Sequence, residues 1–197
     1  MIYPLAVQAP GPSDKQGYPG LAVNAAKGVI CHSMVGSYPN AYARLIGPDR
    51  ASWQFSVRKD GMVLQHYPSL AVAWHAGSRE WNGRLIGIEH EGGGPADYGE
   101  PLTPEQLQAS VKLVRWLSAA HNFPLVRAAG LYEHNEVYAT ACPSGRIPWG
   151  HYMEDDVTQQ DKDEIVNALK GYVDMKLIQL IAYLQQTGVK TLPTGGT

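Results

Sequence analysis

Four side chains hold the chemistry that this sequence can offer. His32 closes a short apolar run, Gly28 to Ser33, and His134 and Cys142 form an H-x7-C pair in a stretch rich in Gly and Pro. Imidazole and thiolate together suit zinc, and three protein ligands with one open position make the catalytic form of such a site. The C-x2-C and H-x3-H pairs of a closed structural zinc site are absent. Taken alone, His32 reads as a satisfied surface or edge histidine, and His134 and Cys142 are what turn it toward a metal. Its neighbour Cys31 has three readings: a ligand, a disulfide partner for Cys142, or a small buried hydrophobe. Because adjacent strand residues point to opposite faces, a His32 turned to the site sends Cys31 into the core. Glu89 and Glu91 alternate along RLIGIEHE, so both can share one side of a strand, and a carboxylate there suits a base that takes a proton from metal-activated water. A solvated strand end is the plainer reading of that segment. His75, in AVAWHAG, lines a cleft or packs beneath Trp74.

The composition narrows what these groups serve. The 197 residues carry a formal net charge of −2, with 16 Lys and Arg against 18 Asp and Glu. A nucleic-acid-binding domain is usually strongly basic, so that class is excluded. Hydrophobic residues make up 44 % and charged residues 17 %, enough apolar matter for a folded core. Two Cys cannot staple a small scaffold, whereas seven His are generous for this length. The first residues lack a basic stretch followed by an apolar one, so no secretory signal is expected, and no apolar run reaches the ~18 residues that span a membrane. The expectation is a protein made in the cytoplasm and able to leave it by another route.

The elements that must position these groups follow from pattern. Residues 1 to 26 read as an irregular lead-in and residues 36 to 50 as a loop with one helical turn at most. Ser52 to Lys59 and Met62 to Tyr67 form a hairpin about Asp60-Gly61. Arg84 to Glu91 is a strand ending in Gly92-Gly93-Gly94. A helix starts at Thr103 with Pro104 in its first turn and Gln106 placed for a reciprocal cap, and reaches about Ala120 through Leu107, Val111, Val114 and Leu117. Residues 125 to 150 look irregular. After an acidic stretch, Ile165, Leu169, Val173, Leu177, Leu180 and Leu184 give a second helix from a cap at Thr158 to about residue 186, bent or split at Gly171. The tail from Leu192 is expected to fray. This is an α/β layout, a sheet covered by helices.

Taken in order, six segments resemble the zinc-dependent N-acetylmuramoyl-L-alanine amidases of the second amidase type, which share a fold with peptidoglycan recognition proteins. They are the His32-Ser33 strand end, the FSVRKDGMVLQHYP hairpin, AWHAG, the N-x-x-x-I-G-I-E run from Asn82 to Glu89, the TPEQ-capped helix, and H-x7-C followed by P-x-G and I-P-W. The resemblance covers roughly residues 20 to 150. It implies a mixed central β-sheet flanked by helices over residues 1–153, with an added C-terminal helical segment at 154–197. It also implies one Zn2+ per chain held by His32, His134 and Cys142, with Glu89 as the catalytic carboxylate. Thr140 matches a position that is Lys in several relatives and would help to stabilise an oxyanion. His75 and Asn82 match residues lining the substrate cleft. Trp53 holds the cleft position where another branch of the family places a Tyr, and its lack of an ionisable group leaves the proton work to Glu89.

The substrate so implied is the amide bond between N-acetylmuramic acid and L-alanine in bacterial peptidoglycan. Three readings stand at this point: a bacteriolytic enzyme such as a phage endolysin, which the Cys ligand and the extra helix favour; a cytosolic recycling amidase acting on anhydromuropeptides; and a module that binds without cleaving, disfavoured by the complete ligand set. The C-terminal helix is expected to pack on the domain or to mediate self-association. Its few basic residues argue against membrane disruption.

Overall fold

In the computed structural model, residues 1–153 and 159–187 are described. One six-stranded sheet organises the chain, in the order β1-β4-β3-β5-β2-β6. Strand β2 (Val29–Ser33) lies one strand in from the β6 edge, between β5 (Ile86–His90) and β6 (Leu131–Glu133), and pairs in parallel with both. Strand β3 (Phe55–Val57) pairs in parallel with β5 and in antiparallel with β4 (Val63–Gln65), as the hairpin pattern requires. Strand β1 (Val7–Gln8) is added in parallel at the β4 edge.

The period of two along these strands divides the sheet into an apolar and a polar face. Val29, Cys31, Phe55, Val57, Ile86, Ile88 and Leu131 point one way into a single core. They meet Leu113, Val114, Trp116 and Leu117 of α3 (Pro104–His121), which lies across them. Thr103 caps α3 as its position predicts, its hydroxyl accepting from Gln106 N at 3.1 Å. The reciprocal half of that cap is not made. Gln106 instead donates through Nε2 to Val57 O (2.8 Å) and Glu91 O (3.0 Å), tying the helix start to the ends of β3 and β5.

Three stretches are more ordered than their sequence suggests. The lead-in contributes β1, and the irregular stretch 125–150 contributes β6 and a 3-10 turn at His134–Glu136. Residues 36 to 50, expected as a loop, hold the nine-residue helix α1 (Tyr38–Ile46). Pro39 is tolerated in its first turn. Its exposed C-terminal carbonyls are met from outside, since Lys15 Nζ donates to Leu45 O at 2.7 Å and Arg44 O at 3.3 Å. A lysine at that end also complements the helix dipole.

Two short helices, α2 (Arg79–Asn82) and α4 (Gly150–Met153), complete the elements before the last one. Helix α5 (Gln159–Thr187) then runs as one piece and touches α3. Gly171 neither splits nor ends it. The cap expected at Thr158 and the tail from Leu192 lie outside the described residues. No helix among the described residues is long and apolar enough to cross a membrane.

Candidate active site

The polar face of the sheet carries the site at the carboxyl ends of its parallel strands. Register sets the first half: His32 of β2 lies opposite Glu89 of β5, and Glu89 opposite Ser56 of β3. One row across three strands thus presents an imidazole, a carboxylate and a hydroxyl on one face, with Cys31 turned into the core behind them. Both cysteines are free thiols, which removes the disulfide alternative.

The second half arrives on the irregular arm after β6. His134 opens the 3-10 turn and Cys142 lies beyond it, its carbonyl accepting from Asn135 N at 2.9 Å. The ligand atoms of His32, His134 and Cys142 all lie within 4.8 Å of one another. His32 Nδ1 faces Cys142 Sγ at 3.9 Å. Three ligands around one ion at bond lengths of ~2.0–2.3 Å need such a spacing.

Hydrogen bonding settles which atoms are free to bind. His75 Nε2–H donates to Leu85 O (3.3 Å), so His75 Nδ1 accepts from His32 Nε2–H (3.2 Å). His32 is left with its Nδ1 lone pair toward Cys142. This histidine pairing fixes the tautomer of His32, as carbonyl or carboxylate partners do for histidines at many metal sites. Gly87 makes the pairing possible, because a Cβ there would stand 2.6 Å from the His75 ring. On the arm, His134 Nε2 is buried without any hydrogen-bond partner, and Tyr138 stacks on its ring at 5.6 Å. A buried orphan nitrogen beside a thiol and a second imidazole is the donor set that a borderline-soft cation completes.

Electrostatics sharpen this reading. Burial holds His32 well below its ordinary range, reinforced by the neighbouring histidines, and burial also lowers His134. Burial takes His75 down to about 3. All three are therefore neutral near pH 7, the form that ligates. Burial, with the Glu89 charge, pushes the Cys142 thiol up to about 12, while the Ser33 N–H works in the other direction. A cation arriving there would have to displace that proton. Glu89 is raised from 4.5 to about 7 by burial, against the pull of Arg44 and Arg146. Its Oε2 has no hydrogen-bond partner. A carboxyl group poised near neutrality with one free oxygen suits proton transfer in both directions.

The remaining expected residues fall in different places. Glu91 is drawn out of the site, its carboxylate accepting from Tyr38 N (2.9 Å) and Lys59 N (3.0 Å). Thr140 is exposed on the arm, and its hydroxyl oxygen accepts from Cys142 N at 3.2 Å. His75, Asn82 and Trp53 are 8, 2 and 4 % exposed, with polar atoms engaged by the protein. Asn82 Oδ1 accepts from the His75 and Ala76 amides, and Asn82 Nδ2 donates to Tyr18 OH. Asn82 also borders a recess of about 150 Å³ with Tyr18, Arg50, Trp74 and Gly77. Trp53 Nε1 donates to Ser56 Oγ at 2.9 Å, and its ring packs with Leu45 of α1, Tyr67 and Ala71.

Sequence reasoning left His90 without a role. In the structure its Nδ1–H donates to His32 O (3.0 Å), and its Nε2 accepts from Ser110 Oγ (2.7 Å), which in turn accepts from Tyr152 OH (2.8 Å). This buried chain joins α4 and α3 to the backbone of a ligand residue. Only the alternation that places His90 opposite Glu89 on the strand hinted at it.

With this geometry in view, the relatives are informative. The N-acetylmuramoyl-L-alanine amidase family matches residues 22–145, well over half of the chain. The chain belongs to this family. The matched stretch runs from just ahead of β2 to just past Cys142, so it contains all four groups of the site. Endolysin 2638A of Staphylococcus phage 2638A is 26 % identical over 177 residues, covering 83 % of this chain and 36 % of its own length. The chain thus spans about a third of that curated relative. A mutant endolysin from Bacillus subtilis superposes with a TM-score of 0.54 at 27 % identity, over 71 % of this chain and 89 % of that one. The N-acetylmuramoyl-L-alanine amidase LysC from Clostridium intestinale URNW shares the amidase fold, with a TM-score of 0.55 at 24 % identity over 75 % of this chain and 93 % of its own.

Proposed function

We propose that this chain hydrolyses the amide bond between N-acetylmuramic acid and L-alanine in bacterial peptidoglycan, as a bacteriolytic enzyme of the endolysin kind, with one zinc ion per chain. The observation that carries this is the convergence of three ligand atoms at the end of β2, beside a carboxyl with a free oxygen. Family membership and the likeness to phage endolysins support the substrate.

His32 through Nδ1, His134 through its orphan Nε2, and Cys142 as thiolate would hold the ion. Zinc, when bound, polarises the scissile carbonyl and makes water a competent nucleophile near neutral pH. Glu89 accepts the proton of the attacking water at its free oxygen and returns it to the departing amine of L-alanine. Its position near neutrality lets it serve both steps. The Thr140 hydroxyl accepts from Cys142 N and keeps its own proton to donate to the developing oxyanion. His75 and Asn82 act on substrate binding from behind His32, by fixing its ring and the loop that carries them. Trp53 supports the cleft wall as a buried strut. Residues 1–153 form the catalytic unit in this proposal, and 154–197 an appended helical segment whose α5 touches α3.

Digestion of intact cell walls and of a soluble anhydromuropeptide, each followed by mass spectrometry, tests the proposal. Peptide stems with free L-alanine amino termini beside unbroken glycan strands are expected from intact walls. Turnover of the soluble muropeptide alone would assign the chain to recycling, and absence of cleavage in both would reduce it to a binding module.

A further inference from the structure

Building on that ligand set, we propose that Arg146 is a positioning residue for the metal centre, a clamp that locks the Cys142 arm against the strand that carries His32. Arg146 lies four residues beyond Cys142 and just outside the stretch matched by the family. Although arginine is normally a surface residue, this one is 3 % exposed. Its guanidinium donates to Ser33 Oγ at 2.8 Å and His90 O at 3.3 Å through Nη1, to Glu91 O at 2.8 Å through Nη2, and to Glu100 O at 2.5 Å through Nε. One side chain therefore ties the arm to the ends of β2 and β5 and to the loop after β5. The planar fork of arginine can satisfy such divergent acceptors, and lysine cannot.

Ser33 passes the constraint to the ligand. Its hydroxyl accepts from Arg146 and donates to Gly92 O (3.1 Å), while its backbone N–H donates to Cys142 Sγ at 3.2 Å. Arg146 and Cys142 thus hold the same residue from two sides, and that residue follows His32 directly.

The glycine run after β5 is the slot for this clamp. A Cβ at Gly92 would stand 2.6 Å from Arg146 Nη2, and one at Gly93 would stand 2.4 Å from Ser33 Oγ and 2.8 Å from Arg146 Cδ. Both residues have positive φ, which turns their backbone around the guanidinium.

The test compares wild type with Arg146→Met and Arg146→Lys. The readouts are zinc affinity by chelator competition, the thiolate charge-transfer band of the cobalt-substituted protein, and the thermal midpoint of the metal-free protein. Arg146→Met is expected to bind zinc about 10- to 100-fold more weakly and to lose intensity in the cobalt–thiolate band. Arg146→Lys, which restores the charge but not the fork, should fall between. If Arg146→Met does not fold, Gly93→Ala narrows the slot with Arg146 intact and should weaken zinc binding in the same way. A lowered midpoint with wild-type zinc affinity and an unchanged band would show a purely structural arginine and overturn the clamp. Absence of zinc from the wild type overturns the ligand set itself, so the two failures read differently.

Discussion

The two halves of the site are built on opposite principles. His32 and Glu89 sit opposite each other on paired parallel strands, in a row fixed by the ladder of β2 and β5. The fold that buries the core on the other face of the same strands brings them side by side, and the pairing with His75 then fixes the His32 ring. His134 and Cys142 come from an arm whose regular structure among the described residues is a single 3-10 turn. That arm is held by side chains: Arg146 on the strand ends, Trp149 Nε1 donating to Glu133 at 2.6 Å, and Tyr138 stacked on His134. The strand half is set by backbone geometry, and the arm half by individual polar contacts. An ion bound as proposed would also staple the less regular half to the more regular one, linking metal affinity to the folding of the arm.

Breaking the arm half should have the largest effect. Cys142→Ser is expected to lose stoichiometric zinc on dialysis and all measurable lytic activity, as read by metal analysis and turbidity of cell walls. Full zinc retention would remove Cys142 from the ligand set. Breaking the strand half at Glu89 should dissociate the two properties. Glu89→Gln keeps zinc at wild-type stoichiometry and loses about 10²- to 10⁴-fold in turnover, the range of a positioned proton carrier. Turnover near the wild-type rate would place the proton transfer elsewhere.

The smallest effect is one of stability and has a definite sign. Burial raises Glu89 to about 7, so its neutral form is the one the fold prefers. Its contribution is fully present below 4.5 and is lost as pH rises through about 7. In the metal-free protein, Glu89→Gln should be more stable than wild type at pH 8 by about 1–3 kcal/mol, and the difference should vanish at pH 4. Urea titrations at the two values measure it. A gain of equal size at both would mean that Glu89 is not held neutral by burial.

The strand half was also the more legible in sequence. The runs ending at His32 and Glu89 show β-branched and alternating patterns, and the row they form follows once both strands are accepted. The arm displayed its two ligands by residue type but not its tethers. Arg146 reads as an ordinary surface cation until its contacts with Ser33 and the ends of β5 are known, and Gly92-Gly93 reads as a loop until the guanidinium beneath it is seen. Helix α1, expected as a single turn, is longer for a similar reason, since its C-terminal carbonyls are met by Lys15 from far upstream. His75 was visible as a chemical residue, yet its partner His32 lies 43 positions away. Short-range pattern carries the elements, whereas hydrogen bonds between distant positions carry the support of the site. Strands as short as β1 and β6 exist only through pairing that no local pattern encodes.

Zinc K-edge absorption spectroscopy of the purified protein tests the central claim most directly. The account predicts one zinc per chain with one sulfur at ~2.3 Å and two imidazole nitrogens at ~2.0–2.1 Å, plus one light-atom position open to water. Stoichiometric zinc with no sulfur neighbour, or with two, would contradict the joining of strand and arm on which the whole site depends.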